Sequence, residues 1–292
     1  MYIKKEDLTI VIVTFESEHV IYNCIESIDK NINIIIVDNS NNFELKNQIE
    51  EKYNNIKYIL SPTNIGMGPG NNLGIKNIKS DYALILNPDV ILEKDTIKEL
   101  LDSSNQIKEF GIIAPHSINK KYPNFKLGKN QILSNENPFK VKSIDGYAMM
   151  LNIKKLKKIK NFYFFDENFF LYLENDDLCK RVIDLNENIY VVPKSKINHL
   201  GGKAVNISYE YEIELSRNWH WIWSKFYFNK KHNGFIFAFF EGLPTFLSSI
   251  LKLLFYLITN KEKKMRVYLN RCLGFLNAFL GRRSHYRPKI NN

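Results

Sequence analysis

The sequence predicts an α/β fold, a mostly parallel mixed sheet flanked by helices, followed by a helical tail. Three observations carry this reading. Runs of apolar, largely β-branched residues at 8–13 (LTIVIV), 32–37 (INIIIV) and 82–86 (YALIL) lack the alternation of a half-solvated strand and read as strands covered on both faces. Between them lie segments with helical apolar spacing, such as Val20, Cys24, Ile25 and Ile28. The charge also changes character near position 216: residues 1–216 hold 27 Lys and Arg against 29 Asp and Glu, whereas residues 217–292 hold 14 against 2. A main domain is therefore expected at 1–215 and a basic, aromatic-rich helical tail at 216–292.

At 292 residues, 45% hydrophobic and 25% charged, the chain has the composition of a globular protein with one large core or two modest ones. The net charge of +10 belongs to the tail and points it at an anionic partner. Cys24, Cys179 and Cys272 are odd in number and lack metal-ligand spacing, which fits a reducing cytoplasm and plain packing. Charged residues near the start precede any apolar run, so no secretory signal is expected.

The first strand leads into the loop 14–17, which carries Thr14 and Glu16. A helix over 20–29 and the strand 32–37 follow, and that strand runs straight into Asp38. In such a βαβ unit an acidic tip meets a ribose or base edge; the competing role is to cap the helix over 43–53. A third strand at 56–60 precedes a loop with Gly66, Gly68, Gly70 and Gly74. A dinucleotide fingerprint would need glycine where Asn71 stands and would follow the first strand, so NAD is rejected. The glycines are instead expected to let the backbone approach a ligand that Asn71 or Asn72 hydrogen-bonds.

The strand 82–86 ends on Asn87-Pro88-Asp89. Pro88 cannot prolong the strand, so Asp89 is expected at its C-terminal tip, the edge where open α/β sheets bind ligands and where a carboxylate can hold a divalent ion against a diphosphate. Ordinary turn chemistry is the alternative. A helix over 91–105, a strand over 111–115, a long irregular loop over 116–140 and an Asp145-Gly146 turn entering an apolar strand come next.

The second polar centre is 164–181, FFDENFFLYLENDDLCKR. A helix from 173 onward puts Glu174, Asp177 and Arg181 on one face. Neighbouring carboxylates beside an aromatic stretch raise a carboxyl pKa, which suits a general base; a solvated helix start is the plainer reading. After a strand at 189–192, His199 beside Gly201 and Gly202 is placed to reach a metal or phosphate.

In the tail, Trp219, Trp221 and Trp223 precede a 26-residue apolar segment, 234–259, interrupted by Glu241, Gly242, Pro244 and Lys252. The interruptions are expected to leave pieces too short for a bilayer core that needs ~20 apolar residues. An in-plane amphipathic helix or shallow hairpin on an anionic membrane surface fits, with Lys261, Lys263, Lys264 and Arg266 on the headgroups. A helical cap or a homodimer interface is the other use of such a surface. Nucleic acid is not expected as a partner, because the aromatics cluster with aliphatics instead of interspersing with cations.

Taken in order, LTIVIVTFES, IIIVDNS, NIGMGPGNNLGI, LILNPDV, SIDGYAMML, FDENFFLYLENDDLCKR and HLGGKA resemble the family 2 glycosyltransferases over residues 7–205, in particular the rhamnosyltransferase-like branch that builds bacterial O-antigen, capsule and cell-wall polysaccharides. The resemblance implies a GT-A fold, Rossmann-like, with a nucleotide-sugar donor, Mg or Mn, and inversion at the anomeric carbon. It places Thr14 and Glu16 at the nucleotide pocket, although most relatives carry Asn at the latter position. It gives Asp38 the pyrimidine ring, and Asn64, Gly66, Asn72 and Asn87 the ribose and diphosphate side. Asp89 becomes the metal ligand of a variant DxD motif, joined by His199, and Asp145 lies near the donor sugar, with Tyr147 where alanine is usual. Glu174-Asn175-Asp176-Asp177 stands for Glu-Asp-x-Asp. Asn175 cannot take a proton, so the base falls to Glu174, with Asp177 and Asp176 as alternatives. The implied acceptor is a polyprenyl-diphosphate-linked glycan, reached from the inner face of the plasma membrane by a peripheral enzyme. An inactive relative that binds nucleotide sugar or glycan within an assembly is the reading from another class. A nucleotidyltransferase would be expected to show an Arg- and Lys-bearing glycine loop after the first strand, and residues 14–17 have none.

Overall fold

The computed structural model describes residues 2–118 and 123–290, and the chain divides into two compact units. One comprises Met1–Asp166 and Asn175–Asn206; the other comprises Glu167–Glu174 and Ile207–Asn292.

The first unit alternates strand and helix: β1 (Leu8–Thr14), α1 (Glu18–Glu26), β2 (Asn33–Asp38), α2 (Phe43–Lys52), β3 (Ile56–Leu60), α3 (Met67–Lys76), β4 (Tyr82–Leu86), β5 (Val90–Leu92) and α4 (Thr96–Ile107). It continues through β6 (Ile112–Ser117), β7 (Phe125–Lys126), β8 (Phe139–Lys140), β9 (Ser143–Ile144), β10 (Ala148–Asn152), α5 (Ile153–Leu156), α6 (Glu174–Asp184) and β11 (Ile189–His199). The main sheet runs β3-β2-β1-β4-β10-β6-β11-β5, with β8 added on β11. Strands β1 to β4, β6 and β11 share one direction, whereas β10, β5 and β8 oppose them.

Alternate residues of these strands feed two cores. Ile10, Ile12, Ile34, Ile36, Leu84 and Leu86 pack with apolar residues of α1, α2 and α4. Val11, Ile85, Met149 and Leu151 pack with Ile75 of α3 and with Leu178 and Val182 of α6. Helices on both faces explain why the strands carry no polar alternation. The glycines of α3 serve this packing: a Cβ on Gly74 would sit 2.3 Å from Val11 Cγ1, and one on Gly70 would sit 2.9 Å from Val13 Cγ1. The expected opening toward a ligand is corrected at these two positions, where small residues let helix and sheet touch.

Three further expectations change. Residues 90–92 form a reversing strand against β11 before the helix begins at Thr96, so the helix expected from 91 starts later. The strand expected at 189–192 continues to His199 through a register shift between Val192 and Lys196, around Pro193, which withholds a ladder donor. The loop expected over 116–140 is pinned by β7 on β9 and β8 on β11, while its residues 119–122 lie outside the described residues.

The second unit is built from α7 (Glu210–Asn233), α8 (Phe235–Ile258) and α9 (Glu262–Phe279). Its core joins Trp219, Trp223, Phe226, Phe275 and Ala278 with Phe169 from the short segment 167–174. That segment is tied down further where the Ser224 hydroxyl donates to the Leu171 carbonyl at 2.8 Å. The stretch after α9 straps α7: Trp223 Nε1 donates to the Arg282 carbonyl at 3.0 Å, and His220 Nε2 meets the Tyr286 carbonyl at 2.9 Å. Burial pushes the His220 imidazole down to about 3, so it packs as a neutral ring, stacked on Phe170.

α8 is continuous across Pro244, and the expected break at 242–244 is corrected. Proline costs one intrahelical bond to the Phe240 carbonyl, but tertiary packing holds the turn. A Cβ on Gly242 would lie 2.7 Å from the Phe275 ring, so the bare backbone admits the α9 aromatic. α8 has 24 residues and is long and apolar enough by composition to cross a membrane; only 11% of its most apolar window is buried. Ile236, Phe240, Leu247, Leu251, Leu254 and Ile258 are exposed on it at helical spacing.

Close approach of α9 to α7 rests on Gly274, where a Cβ would stand 2.4 Å from the Trp219 carbonyl oxygen. Backbone cannot yield as a side chain can, so Gly274→Ala is expected to cost about 1–3 kcal/mol, read as a lower urea midpoint with unchanged slope. An unshifted midpoint would show that these helices separate without penalty.

Candidate active site

Because β1, β2, β4 and β11 run the same way, their C-terminal ends share one sheet edge, and antiparallel β10 starts there, with Ala148 opposite Leu86. Thr14, Asp38, Asn87, Asp89, Asp145 and His199 are thereby gathered along a single rim of the first unit.

On the β1–β2 side, Thr14 Oγ1 donates to Asp38 Oδ1 at 3.2 Å. The same carboxylate accepts the Ser40 and Asn42 backbone N–H groups, each at 2.9 Å. Asn42, not Asp38, caps α2, and Asp38 holds the turn that positions it. Its carboxylate is buried and engaged from three sides. Glu16 has φ +51°, its N–H donates to Ser40 Oγ at 2.6 Å and its carbonyl accepts from Asn206 at 3.0 Å. Burial, then Glu18, raises the Glu16 carboxyl pKa.

Asn39 was not singled out from the sequence, yet it ties this turn to the glycine loop. Its Nδ2 donates to the Gly66 carbonyl at 3.2 Å and its Oδ1 accepts the Ile65 N–H at 3.3 Å. Its only sequence signal was adjacency to Asp38. Gly66 has φ +92°, a conformation glycine adopts freely, and its N–H is received by Asn64 Oδ1 at 3.1 Å. The Asn72 amide exchanges two hydrogen bonds with the Phe165 backbone, at 2.9 and 3.0 Å. Asn71 buries an Oδ1 with no hydrogen-bond partner among the described residues.

In the middle of the rim, the Asn87 N–H donates to the Tyr147 carbonyl and anchors the turn that delivers Asp89. Asp89 is 2% exposed. Its Oδ2 accepts the Lys203 N–H at 3.2 Å and lies 3.4 Å from His199 Nε2, whereas its buried Oδ1 has no partner among the described residues. The pairing of His199 with Val90 across β11 and β5 creates this contact. Tyr147 stacks on the imidazole, centroids 3.9 Å apart and planes 23° from parallel, which fixes the ring. Asp145 is half-buried; burial raises its carboxyl pKa, Lys126 opposes the rise and Asp176 reinforces it.

The acidic stretch opening α6 divides its roles. Asn175 Nδ2 donates to the Ile144 carbonyl at 2.9 Å, and a Cβ on Gly146 would stand 3.2 Å from Asn175 Cβ, so the Asp-Gly turn needs its glycine to lie against the helix. Asp176 takes Lys126 at 3.1 and 3.2 Å. Asp177 is 0% exposed and takes Arg181 Nε at 2.8 Å, while the same guanidinium donates to the Tyr163 and Phe164 carbonyls. Of the face expected to carry Glu174, Asp177 and Arg181, the last two form a buried ion pair. Glu174 groups with the second unit, where it and Arg217 both act on the Tyr172 hydroxyl.

The chemistry of the rim suits the divalent ion that the resemblance implies. A buried carboxylate oxygen without a hydrogen-bond partner is costly unless a cation or donor arrives. Among the described residues no cluster of three or more His, Cys, Asp or Glu is suited to a metal. One carboxylate and one imidazole cannot make a closed cage, but they match a hard cation that keeps substrate phosphates as its remaining ligands.

Comparison with known proteins agrees with this architecture. The family model described as glycosyl transferase family 2 matches residues 9–164. The chain is 31% identical over 202 residues to the low-salt glycan biosynthesis hexosyltransferase Agl10 of Haloferax volcanii, covering 63% of this chain and 64% of that protein. It is 24% identical over 212 residues to rhamnosyltransferase WbbL of Escherichia coli K12, covering 63% of this chain and 80% of that one. The chain thus spans just under two thirds of the first relative. Among solved structures, S. aureus TarS 1-349 aligns with a TM-score of 0.54 at 16% identity over 96% of this chain and 93% of its own. GalNAc-T7 with UDP, GalNAc and Mn2+ aligns with a TM-score of 0.54 at 13% identity over 66% of this chain and 43% of its own. The likeness to these structures confirms the fold expected, a mixed sheet flanked by helices of the GT-A kind.

The raised pKa of Asp145 has a thermodynamic sign. The fold favours the protonated carboxyl, so ionised Asp145 costs stability above its folded pKa, and the cost vanishes as pH falls toward the ordinary value of 3.8. Asp145→Asn is therefore expected to raise Tm at pH 7 and to match the parent near pH 3.5. A lower Tm at pH 7 would mean that the carboxylate is a stabilising contact instead.

Proposed function

Given that the chain belongs to glycosyl transferase family 2, we propose that it is an inverting, metal-dependent transferase that moves a sugar, rhamnose being the first candidate, from a nucleoside-diphosphate sugar to a polyprenyl-diphosphate-linked glycan during cell-surface polysaccharide synthesis. The observation that carries the reading is the contact of Asp89 with His199 on the rim that also holds Asp145. Its support from outside is that relatives are named hexosyltransferase and rhamnosyltransferase, and that TarS has been solved with UDP and with UDP-GlcNAc.

In this mechanism Asp89 offers its unpartnered Oδ1, and His199 its Nε2, to Mg or Mn. When bound, the ion supplies positive charge for the leaving diphosphate. Tyr147 keeps the imidazole in place by stacking, and Asp145 accepts a hydrogen bond from a donor-sugar hydroxyl. Glu174 takes the acceptor's proton; it stands at the start of α6 and shares the surroundings of the Tyr172 hydroxyl with Arg217. Asn64, Gly66 and the turn held by Thr14, Glu16 and Asp38 form the nucleoside side.

The apolar face of α8 and the basic residues 261, 263, 264 and 266 lay the tail on the anionic inner face of the plasma membrane. The opposite face of α8 carries Ala238 and Ser249 into the helical core, which favours an in-plane helix over a span. One observation favours the inactive reading: Asn175 stands at the acid position and spends its amide on Ile144.

A thermal-shift panel of UDP-, dTDP-, GDP- and CMP-sugars, each with and without Mn, tests donor and metal together. One base class is expected to stabilise strongly and only with the ion. Asp89→Ala is expected to lose the Mn-dependent shift and to reduce transfer by about 100-fold or more, with far-UV circular dichroism unchanged. Near-wild-type transfer by this variant removes the metal role of Asp89, and donor binding without any turnover by the parent sinks the enzyme reading.

Membrane contact is tested separately. Phe240→Glu with Leu251→Glu is expected to weaken sedimentation with phosphatidylglycerol vesicles by about tenfold or more, and added salt to weaken the parent. Equal sedimentation of parent and variant would remove the tail from the membrane.

A further inference from the structure

Resting on the proposed transfer reaction, we infer that the second unit carries the acceptor's binding subsite, a platform made by Trp221 and Tyr172 with Arg217 beside it, taking a sugar ring and the anionic group next to it. Trp219 and Trp223 are 1% and 2% exposed and serve the helical core, whereas Trp221, on the same helix, is 46% exposed. Tyr172 meets it edge to face, centroids 5.4 Å apart and planes at 87°, which fixes the indole without covering it. An indole nearly half open to water and held by a neighbour is a surface on which pyranose C–H groups pack; its rigidity limits the entropy lost on binding.

Arg217 lies one helical turn before Trp221, so both project from one side of α7. Its charge reaches the Tyr172 hydroxyl, opposing the rise that burial imposes, and Glu174 acts on that hydroxyl with the opposite sign. Glu174, Tyr172, Arg217 and Trp221 thus form one cluster within the second unit. A group that removes the acceptor's proton has to stand beside the acceptor, so the surface around Glu174 is where the acceptor is expected. The guanidinium next to the platform selects an acceptor with a phosphate or diphosphate close to its sugar, since Arg matches those oxygens bidentately.

The segment holding this cluster is also backbone-strained. Tyr172 and Leu173 have φ of +69° and +66°, consecutive non-glycine residues in the left-handed region. Such conformations persist where surrounding structure over-determines them, here the Phe169–Tyr227 ring contact and the Ser224–Leu171 hydrogen bond. The strain places Tyr172 under Trp221 and starts α6 at Glu174.

The test uses the full chain, the labelled donor that the thermal-shift panel selects, and membranes of the producing cells at graded concentration as acceptor. Trp221→Ala and Arg217→Ala are expected to raise the apparent KM for membranes by about tenfold. Trp221→Phe is expected to stay within about threefold of the parent. All three are expected to keep the donor's thermal shift and the parent's sedimentation with acceptor-free phosphatidylglycerol vesicles. Unchanged KM in both alanine variants overturns the inference. So does loss of the donor shift in Trp221→Ala and Trp221→Phe alike, which would make Trp221 a folding residue, and so does loss of vesicle binding, which would make it a membrane anchor. A panel in which no donor stabilises the parent counts against the transfer reaction itself, a separate readout from the acceptor KM.

Discussion

The rim of the first unit depends on one constraint: Asp89 is buried with one carboxylate oxygen satisfied and the other not. Folding does not favour such a group, because a buried acceptor without a donor carries its full desolvation cost. What keeps it there is topology. β4 delivers the turn, β5 reverses against β11, and that reversal brings His199 to Asp89 while the Lys203 N–H takes the second oxygen. Tyr147, whose carbonyl receives the Asn87 N–H, closes the arrangement by stacking on the imidazole. Each neighbour that fixes Asp89 does so through backbone or ring contacts, and Oδ1 is left without a partner among the described residues.

The elements that could be read in advance were those whose signal is local. β1, β2 and β4 are uninterrupted apolar runs with polar tips, and the fold class and the rim followed from them. What could not be read depends on partners distant in sequence. β5 is a strand only because β11 lies beside it, and the last part of β11 is hidden by Pro193 and by lysines that break any periodicity. The Asp177–Arg181 pair follows from i,i+4 spacing, whereas the Asn72 bonds to the Phe165 backbone join residues far apart in sequence, which no spacing rule reveals. Glu16 is instructive in the other direction. The motif pattern has asparagine there, and φ of +51° supplies a reason, since asparagine tolerates the left-handed region better than glutamate.

The tail shows the same contest between local and tertiary terms. Gly242 and Pro244 are helix breakers by propensity, yet α8 runs through both. Gly242 admits the Phe275 ring and Gly274 admits the Trp219 backbone, so residues that look like weaknesses along one helix are what permit helices to approach. The apolar residues left over on α8 are therefore a surplus that packing within the unit does not absorb.

The start of α6 explains why the acidic motif resists assignment by residue type alone. Successive helical residues turn by about 100°, so four polar residues in a row face four directions. Asn175 turns to the Ile144 carbonyl, Asp176 to Lys126 and Asp177 to Arg181, each a bond within the first unit. Glu174 precedes them, directly after two left-handed residues, and shares the surroundings of Tyr172 with Arg217. The Asp177–Arg181 pair is buried, and the same guanidinium also donates to the Tyr163 and Phe164 carbonyls, so it ties α6 to the segment before it. Residue type gives the motif its charge, and helix phase decides which neighbour each side chain meets.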